Sequence, residues 1–455
     1  MAHPPPLAPR HYKEDTWHTL VHVCRRWRHV VFGSPHRLDL RLLCVNGRLV
    51  KTLDMWPDLP IVVHVDDHKL RQLPNIANMI SMSKRNDRVC KISLDGAPNS
   101  LLVELGTTIE PFLGLIELEL SSSSRPFWEN PNPPTLSESF LGGSVPRLRS
   151  LRLCGISFPS IRRLLSSTRD LVTLSLGLVP PYDSEYLSPQ SIVTTLSALT
   201  RLTSFHFILE FPQFWTHGTS QHPPSLTRVV LPALTDFSFH GDSEYLENIV
   251  SRIDAPLESI AVTFIYLVSD IPLLHDFIRR TKILNTPHRA GTCFSNFEAG
   301  ISVFQRKGNA DLRVLKMVIR CDTWDPQLQL PPLVQACVSL LSPFPSLEHL
   351  GIYKSGSWPF PLQFEHAQWT ELIRPFFAVK DLVLDGPVVL SVASALQGLV
   401  GEQATGILPA LQNIFLNGFQ SFGAPVPEGI TKFVAARELF GRPVIVYHGE
   451  PGESQ

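Results

Sequence analysis

The chain lacks most of the patterns that announce chemistry. No G-x-x-x-x-G-K-[ST], G-x-G-x-x-G or G-x-S-x-G run occurs, which removes the common phosphate loop, the dinucleotide fingerprint and the nucleophile elbow. Gly241-Asp242-Ser243-Glu244 lacks the second glycine of an elbow. The seven cysteines (24, 44, 90, 154, 293, 321 and 337) never form a C-x-x-C pair and are odd in number. That excludes a disulfide framework or zinc knuckle and fits a reducing compartment. No N-x-S/T acceptor with a non-proline middle residue is present. No apolar run approaches the ~18 residues that cross a bilayer. The opening MAHPPPLAPRHYKED has no apolar stretch of the kind a secretory signal needs. Charge of one sign is also missing: 40 Lys and Arg face 41 Asp and Glu, a net of −1, so no overall field draws nucleic acid or anionic lipid. The expectation is a soluble cytoplasmic and/or nuclear protein that is not an enzyme, with no cofactor, no metal, no nucleic acid and no membrane partner.

What is present is a repeat. With 455 residues, 44% of them apolar and 18% charged, the chain can bury a large core and is long for one compact domain. The pattern apolar-x-x-apolar-x-apolar recurs in ten copies. They are Leu115/Leu118/Leu120, Leu148/Leu151/Leu153, Leu171/Leu174/Leu176, Leu202/Phe205/Phe207 and Leu234/Phe237/Phe239, then Leu257/Ile260/Val262, Leu312/Leu315/Met317, Leu347/Leu350/Ile352, Val379/Leu382/Leu384 and Leu411/Ile414/Leu416. Intervals between first positions are 33, 23, 31, 32, 23, 55, 35, 32 and 32. Pro146, Pro232, Pro345 and Pro409 stand two residues ahead of four copies, and Pro256 one ahead of a fifth. A proline disfavours helix in the residue before it, so each one stops a helix and starts an extended segment.

The last two motif positions alternate as a strand requires. Helix-period segments lie between: Pro159–Ser167, Pro189–Leu199, Asp242–Ile253, Pro272–Thr281, Pro331–Leu341, Glu365–Ala378 and Pro427–Phe440. Ser188 and Asp242 are suited to cap their helices. Strand–helix alternation implies parallel strands with helical crossovers. A doubly wound sheet would alternate too, but would not repeat one strand motif ten times. The fold class expected is therefore α/β, a leucine-rich-repeat-like horseshoe solenoid over residues 89–447, in which each unit buries its leucines against the next. The 55-residue interval implies a degenerate unit or an inserted hairpin, with Thr292–Phe297 and Gly300–Gln305 as its candidate strands. The Pro/Ser/Gly/Asn-rich stretches Ser121–Pro146 and Phe211–Pro224 read as loops on the array.

Ahead of the repeat, Thr16–Phe32 places Trp17, Leu20, Val21, Cys24, Trp27, Val30 and Val31 on one helical stripe. Cys24 on that stripe reads as a core residue. His18 and His22 share a face at the first half of a metal spacing, without the glutamate or third ligand a zinc site needs. The basic run Arg25–Arg28 reads as a solvated edge rather than a nucleic-acid contact.

Val-Cys-Arg-Arg-Trp-Arg (Val23–Arg28), followed by Leu38, Leu40 and Leu42, resembles the C-terminal half of an F-box. Arg41–Cys44, Trp56–Val62, Trp369–Phe376 and Phe433–Leu439 extend the resemblance to fungal (basidiomycete-type) F-box proteins along nearly the whole chain. The resemblance implies a substrate-recognition receptor of a Skp–cullin–F-box ubiquitin ligase. The helix would dock on a Skp-type adaptor through Leu20, Val23, Cys24, Arg25 and Trp27, and the repeats would hold an unknown protein target. An F-box also opens with an L-P-x-E/D helix, which none of the fifteen residues before Thr16 matches. The expected organisation is thus a disordered stretch 1–15, a short helical partial F-box 16–45, a connecting region 46–88 leading into the repeats, the solenoid 89–447 and a flexible tail 448–455. The alternative is a repeat scaffold that binds protein but no longer docks on a ligase.

If the leucines point inward, the residues between them line the concave sheet. The expected target-binding row contains Glu117, Glu119, Arg152, Thr173, His206, Asp236, Lys316, His349 and Asp381, with Val314, Gly351, Val383 and Phe415 among its apolar members.

Overall fold

The computed structural model describes residues 23–33, 42–45, 59–65, 86–107, 110–123, 133–178, 188–209, 228–266, 271–281, 284, 286–295, 298–308, 310–320, 346–354, 365–399, 401–418 and 425–449. The chain divides into two units, Met1–Tyr186 and Leu187–Gln455. Leu20, His18, His22, Pro345 and the expected helix Pro331–Leu341 lie outside the described residues, as do the stretches 1–22, 46–58 and 450–455, residues 124–132 of the first expected loop and the whole of the second.

Unit 1 begins with helix α1 (Arg25–Gly33) and strands β1 (Leu42–Val45), β2 (Ile61–Val65) and β3 (Val89–Ala97). Helix α2 (Asn99–Gly106), β4 (Glu117–Ser122), β5 (Ser150–Ile156), α3 (Ile161–Ser166) and β6 (Thr173–Leu178) follow. All six strands pair in parallel and in chain order. The motif sets the register: Leu118 lies opposite Leu151 and Leu151 opposite Leu174, and the next positions Leu120, Leu153 and Leu176 align likewise. These side chains are buried, as are Leu102 and Leu105 of α2 and Ile161, Leu164 and Leu165 of α3. Each such burial stabilises the fold by about 1.5–3 kcal/mol. The parallel ladder reaches upstream of Val89 to Leu42, so strands already lie within the segments expected as partial F-box and connecting region.

Unit 2 contains α4 (Pro189–Ser197), β7 (Ser204–Ile208), β8 (Val229–Val230), β9 (Asp236–Asp242), α5 (Ser243–Val250), β10 (Ile253–Asp254), β11 (Ser259–Tyr266) and α6 (Pro272–Thr281). It continues with β12 (Pro287–Phe294), β13 (Glu298–Lys307), β14 (Ala310–Arg320), β15 (His349–Lys354), α7 (His366–Ile373), β16 (Asp381–Asp385), α8 (Val388–Gln397), α9 (Glu402–Gly406), β17 (Asn413–Asn417), α10 (Glu428–Leu439) and β18 (Ile445–His448). The fold class is therefore α/β, parallel repeat strands alternating with helices. β8 and β10 form a small parallel ladder of their own.

The caps anticipated at two helices are present. Asp242 accepts hydrogen bonds from the backbone N–H groups of Glu244 and Tyr245 at 2.8 and 3.2 Å, and Ser188 accepts from Ser191 N–H at 3.2 Å behind Pro189. Glu365 and Gln368 add a reciprocal capping box at α7. The proline signal is sharper than expected. Leu148, Leu234 and Leu411 donate their N–H groups three residues back to Val145, Leu231 and Leu408 at 2.9–3.2 Å. Pro146, Pro232 and Pro409 thus take the second place of a turn, where their fixed φ is preorganised, and the first motif leucine closes it. One brick then repeats: a carbonyl receives two consecutive N–H groups of the next strand, Thr203 from Thr235 and Asp236, Glu348 from Lys380 and Asp381, Lys380 from Gln412 and Asn413.

The long interval holds a hairpin insertion rather than a degenerate repeat. β12–β13 and β13–β14 are antiparallel, and the meander enters the sheet in reverse, with β14 beside β11 and β12 beside β15. Leu312, expected as an inward first position, is 45% exposed because it pairs with Gln305 out on a hairpin arm instead of closing a turn. Leu315 and Met317 remain buried. Unit 2 adds an aromatic cluster to its aliphatic core: Phe205 meets Phe237 at 5.9 Å between ring centres, Phe207 meets Phe239 at 6.2 Å, and Tyr245 stacks on both Phe207 and Phe239, whereas unit 1 is mainly leucine with Phe140 edge-on to Phe158 at 5.8 Å. Burial drives the Tyr245 hydroxyl pKa well up.

Arg437 of α10 is fully buried. Its guanidinium donates to the carbonyls of Ala404, Ile407 and Leu411 at 3.0–3.3 Å, and reaches that of Pro409 at 3.5 Å. It clamps the irregular segment ahead of β17, and desolvation lowers its pKa. Among the described residues no helix is long and apolar enough to cross a membrane.

Candidate binding surface

Strand alternation leaves one face of each sheet away from the helices. On that face of unit 1, register aligns Lys91, Glu117, Ser150 and Thr173 in one row and Ser93, Glu119, Arg152 and Ser175 in the next. Lys91 Nζ lies 2.6 Å from Glu117 Oε2, Ser93 Oγ donates to Glu119 Oε2 at 3.1 Å, and Arg152 Nη1 stands 3.5 Å from Glu119 Oε1. Ser121 Oγ donates to Asp95 Oδ1 at 2.6 Å one row farther. These polar groups bridge neighbouring strands; Lys91, Asp95, Glu117, Glu119 and Arg152 stay half-exposed or exposed, whereas Ser93 and Ser121 are buried.

In unit 2 the corresponding row runs through His206, Ser238, Ala261, Lys316, Ser302, Gly291 and Gly351. Asp236 opens an adjacent row beside Ser204 and Ser259, and His349 and Asp381 pair across β15 and β16. His349 Nδ1 stands 2.8 Å from Asp381 Oδ2, and Asn413 Nδ2 donates to the other oxygen at 2.7 Å, so Asp381 orients the imidazole. The expected face residues fall into two groups: Glu117, Glu119, Arg152 and Thr173 lie together in unit 1, and His206, Asp236, Lys316, His349 and Asp381 lie in unit 2.

Four positions expected on the open row are instead buried: Val314, Gly351, Val383 and Phe415. Phe415 is covered by Tyr447, stacked at 5.1 Å. Gly351 lies under the Tyr353 ring, with which any Cβ there would collide, and the Tyr353 hydroxyl accepts from Arg289 Nη2 at 3.2 Å. Cross-strand packing of rings has closed that part of the face.

Several contributors were missed. Lys91, Ser93 and Asp95 precede the first motif copy. His240 is found by carrying the alternation two residues past Ser238. Arg289 and Tyr353 meet through the parallel pairing of β12 with β15, and the spacing signals the hairpin but not that pairing. His240 is half-buried, its Nε2 has no hydrogen-bond partner, and burial, with Arg320 and His206 nearby, lowers its pKa to about 4.

At the N-terminus, Val23, Trp27 and Val30 are 64, 49 and 54% exposed. Cys24 is exposed too, which corrects the expectation of a core residue. The stripe it sits on is uncovered, and Cys24 serves the start of α1, its Sγ accepting from Trp27 N–H at 3.5 Å. Arg25 opens α1 and is exposed.

No protein-family model and no curated protein matches the chain. Among solved structures, a leucine-rich-repeat-containing protein, LegL7 from Legionella pneumophila, is similar at 16% identity and a TM-score of 0.30, over 77% of this chain and 97% of that one.

Proposed function

We propose that the chain is a protein-recognition subunit that holds a protein target on the sheet faces of its repeats and performs no catalysis itself. The observation that carries this reading is the laddered polar face, in which Lys91–Glu117 and Ser93–Glu119–Arg152 bridge successive strands in register. Such a face offers many modest polar contacts on a rigid frame, which suits recognition of a protein surface. The finer reading is a receptor of a Skp–cullin–F-box ubiquitin ligase, working in the cytoplasm and/or nucleus. Its support is the Val23–Arg28 motif together with the exposed apolar stripe of Val23, Trp27 and Val30, the kind of surface a docking helix presents to an adaptor.

The test uses the full chain with purified Skp-type adaptor. Wild type binds, and the double variant Val23→Glu, Trp27→Ala binds at least about tenfold more weakly, a loss of ~1.4 kcal/mol or more. Target capture, read by quantitative mass spectrometry, drops for Arg152→Glu with no change in melting temperature. Absence of adaptor binding by wild type, with capture intact, leaves the second reading: a repeat scaffold that no longer reports to a ligase. Unaltered capture after Glu119→Lys and Arg152→Glu sinks the unit 1 face as the interface.

A further inference from the structure

The sheet face of unit 2 differs chemically from that of unit 1, and its middle strands form a shallow trough. The floor is made of small residues on adjacent strands: Ser238, Ala261, Thr263, Ser302 and Gly291. Large side chains at these places would fill the face. Here they leave room for a chain to lie across the strands.

Around that floor stand two cations, Lys316 and Arg320 of β14, and two imidazoles, His206 of β7 and His240 of β9, all on the same face by register. Lys316 is half-buried and has no carboxylate within ion-pair distance among the described residues. Arg320 meets one carboxylate, Glu298, at a loose 3.6 Å, and both remain exposed. A half-buried lysine with no carboxylate in ion-pair range among the described residues is a group that an incoming carboxylate would satisfy.

We infer that the trough of unit 2 takes an acidic segment of a partner protein, rich in Asp and Glu, with carboxylates over Lys316 and Arg320. This rests on the reading of the sheet faces as the target-binding surface and names the chemistry of what one of them binds. The extended segment crosses β9, β11, β14 and β13, and the small floor residues let its backbone approach.

The probe is a fluorescein-labelled Asp/Glu-rich dodecapeptide titrated into the full chain by fluorescence anisotropy, against the Asn/Gln analogue of the same length. The acidic peptide binds and the amide analogue does not, and added salt weakens the binding. Lys316→Glu, Arg320→Glu weakens it by at least about tenfold, whereas Arg152→Glu in unit 1 leaves it unchanged. Circular dichroism and melting temperature confirm that each variant is folded. No binding of the acidic peptide, or binding untouched by the double reversal, overturns the inference. Equal loss from Arg152→Glu also overturns it, since the binding would then be a general charge effect. Ala261→Trp, which adds bulk to the floor without charge, separates the two levels of the claim. If it abolishes target capture while the acidic peptide fails to bind, the face is the interface and the acidic chemistry is wrong. If bulk and charge reversal both leave capture unaltered, the reading of this face as an interface fails with it.

Discussion

Unit 1 and unit 2 use the same strand motif and arrive at different surfaces. In unit 1 the strands pair in chain order, the core is leucine on leucine, and the outer face is a ladder of cross-strand polar pairs such as Lys91–Glu117 and Ser93–Glu119. In unit 2 a cluster of phenylalanines joins the aliphatic core, an antiparallel meander interrupts the order, and the outer face mixes buried rings, glycines and cations with looser partners. The shared part is what the motif encodes: a turn, an inward pair and a parallel register. The divergent part is what the motif leaves free, namely the residues between the leucines and the length of chain between copies. A repeat can therefore vary its binding chemistry without disturbing its frame, because the alternation of the strand puts the two on opposite faces.

Three experiments press on this contrast. The largest effect is expected at Arg437. Arg437→Met takes its donors from the buried carbonyls of Ala404, Ile407 and Leu411, while Arg442 still donates to that of Pro409 at 2.8 Å, and costs about 3–5 kcal/mol. Hydrogen exchange should rise across β17 and α10 while peptides from β4 and β5 keep their protection; a uniform rise in both would mean that the units do not respond separately.

Next in size is a pH effect confined to unit 2. The pKa of His240 is lowered to about 4 in the fold, against a normal value near 6.5. Between those values the unfolded chain binds a proton that the folded chain refuses, so stability falls as pH drops through that window, by at most about 1.4 kcal/mol per pH unit. His240→Asn should flatten the dependence of the denaturation midpoint between pH 6.5 and 4. A slope unchanged by the substitution would assign the effect to another group.

The smallest change is expected in unit 1. Lys91→Gln removes a half-exposed ion pair with Glu117 and should alter stability by less than about 1 kcal/mol, with a further decrease in the effect at high salt. A larger loss, read by urea denaturation, would show that the ladder holds the frame and is more than surface chemistry.

Much of the frame was legible because each motif copy states a turn, a strand and a buried pair at once. Pro146-Arg147-Leu148 and Pro409-Ala410-Leu411 announce the turn as well as the strand. Helix α8, Val-Val-Leu-Ser-Val-Ala-Ser-Ala-Leu-Gln, was not seen: its β-branched opening suits a strand, and only burial of Val388, Val389, Val392 and Leu396 against its neighbours makes it a helix. The hairpin was partly visible, since Thr292–Phe297 and Gly300–Gln305 overlap β12 and β13, but its place in the sheet was not. No local pattern tells β12 that its parallel partner is β15. The face residues were readable by alternation, yet their partners were not. His349 and Asp381 meet because two strands share a register, and Phe415 is buried because Tyr447 reaches it from a strand that no motif copy marked.

The reversed meander also bears on how the chain can be assembled. An array whose strands pair in chain order can grow one unit at a time from its N-terminal end. Unit 2 cannot do so beyond β11, because the strand that belongs there, β14, is made after β12 and β13. A nascent chain that has just reached β12 holds a strand with no edge to join, since its neighbours on both sides are still unmade. Within the meander, β12–β13 and β13–β14 are local hairpins, so the non-local pairings are β14 with β11 and β12 with β15, and until β15 is made the outer edge of β12 stands open to pairing with another chain.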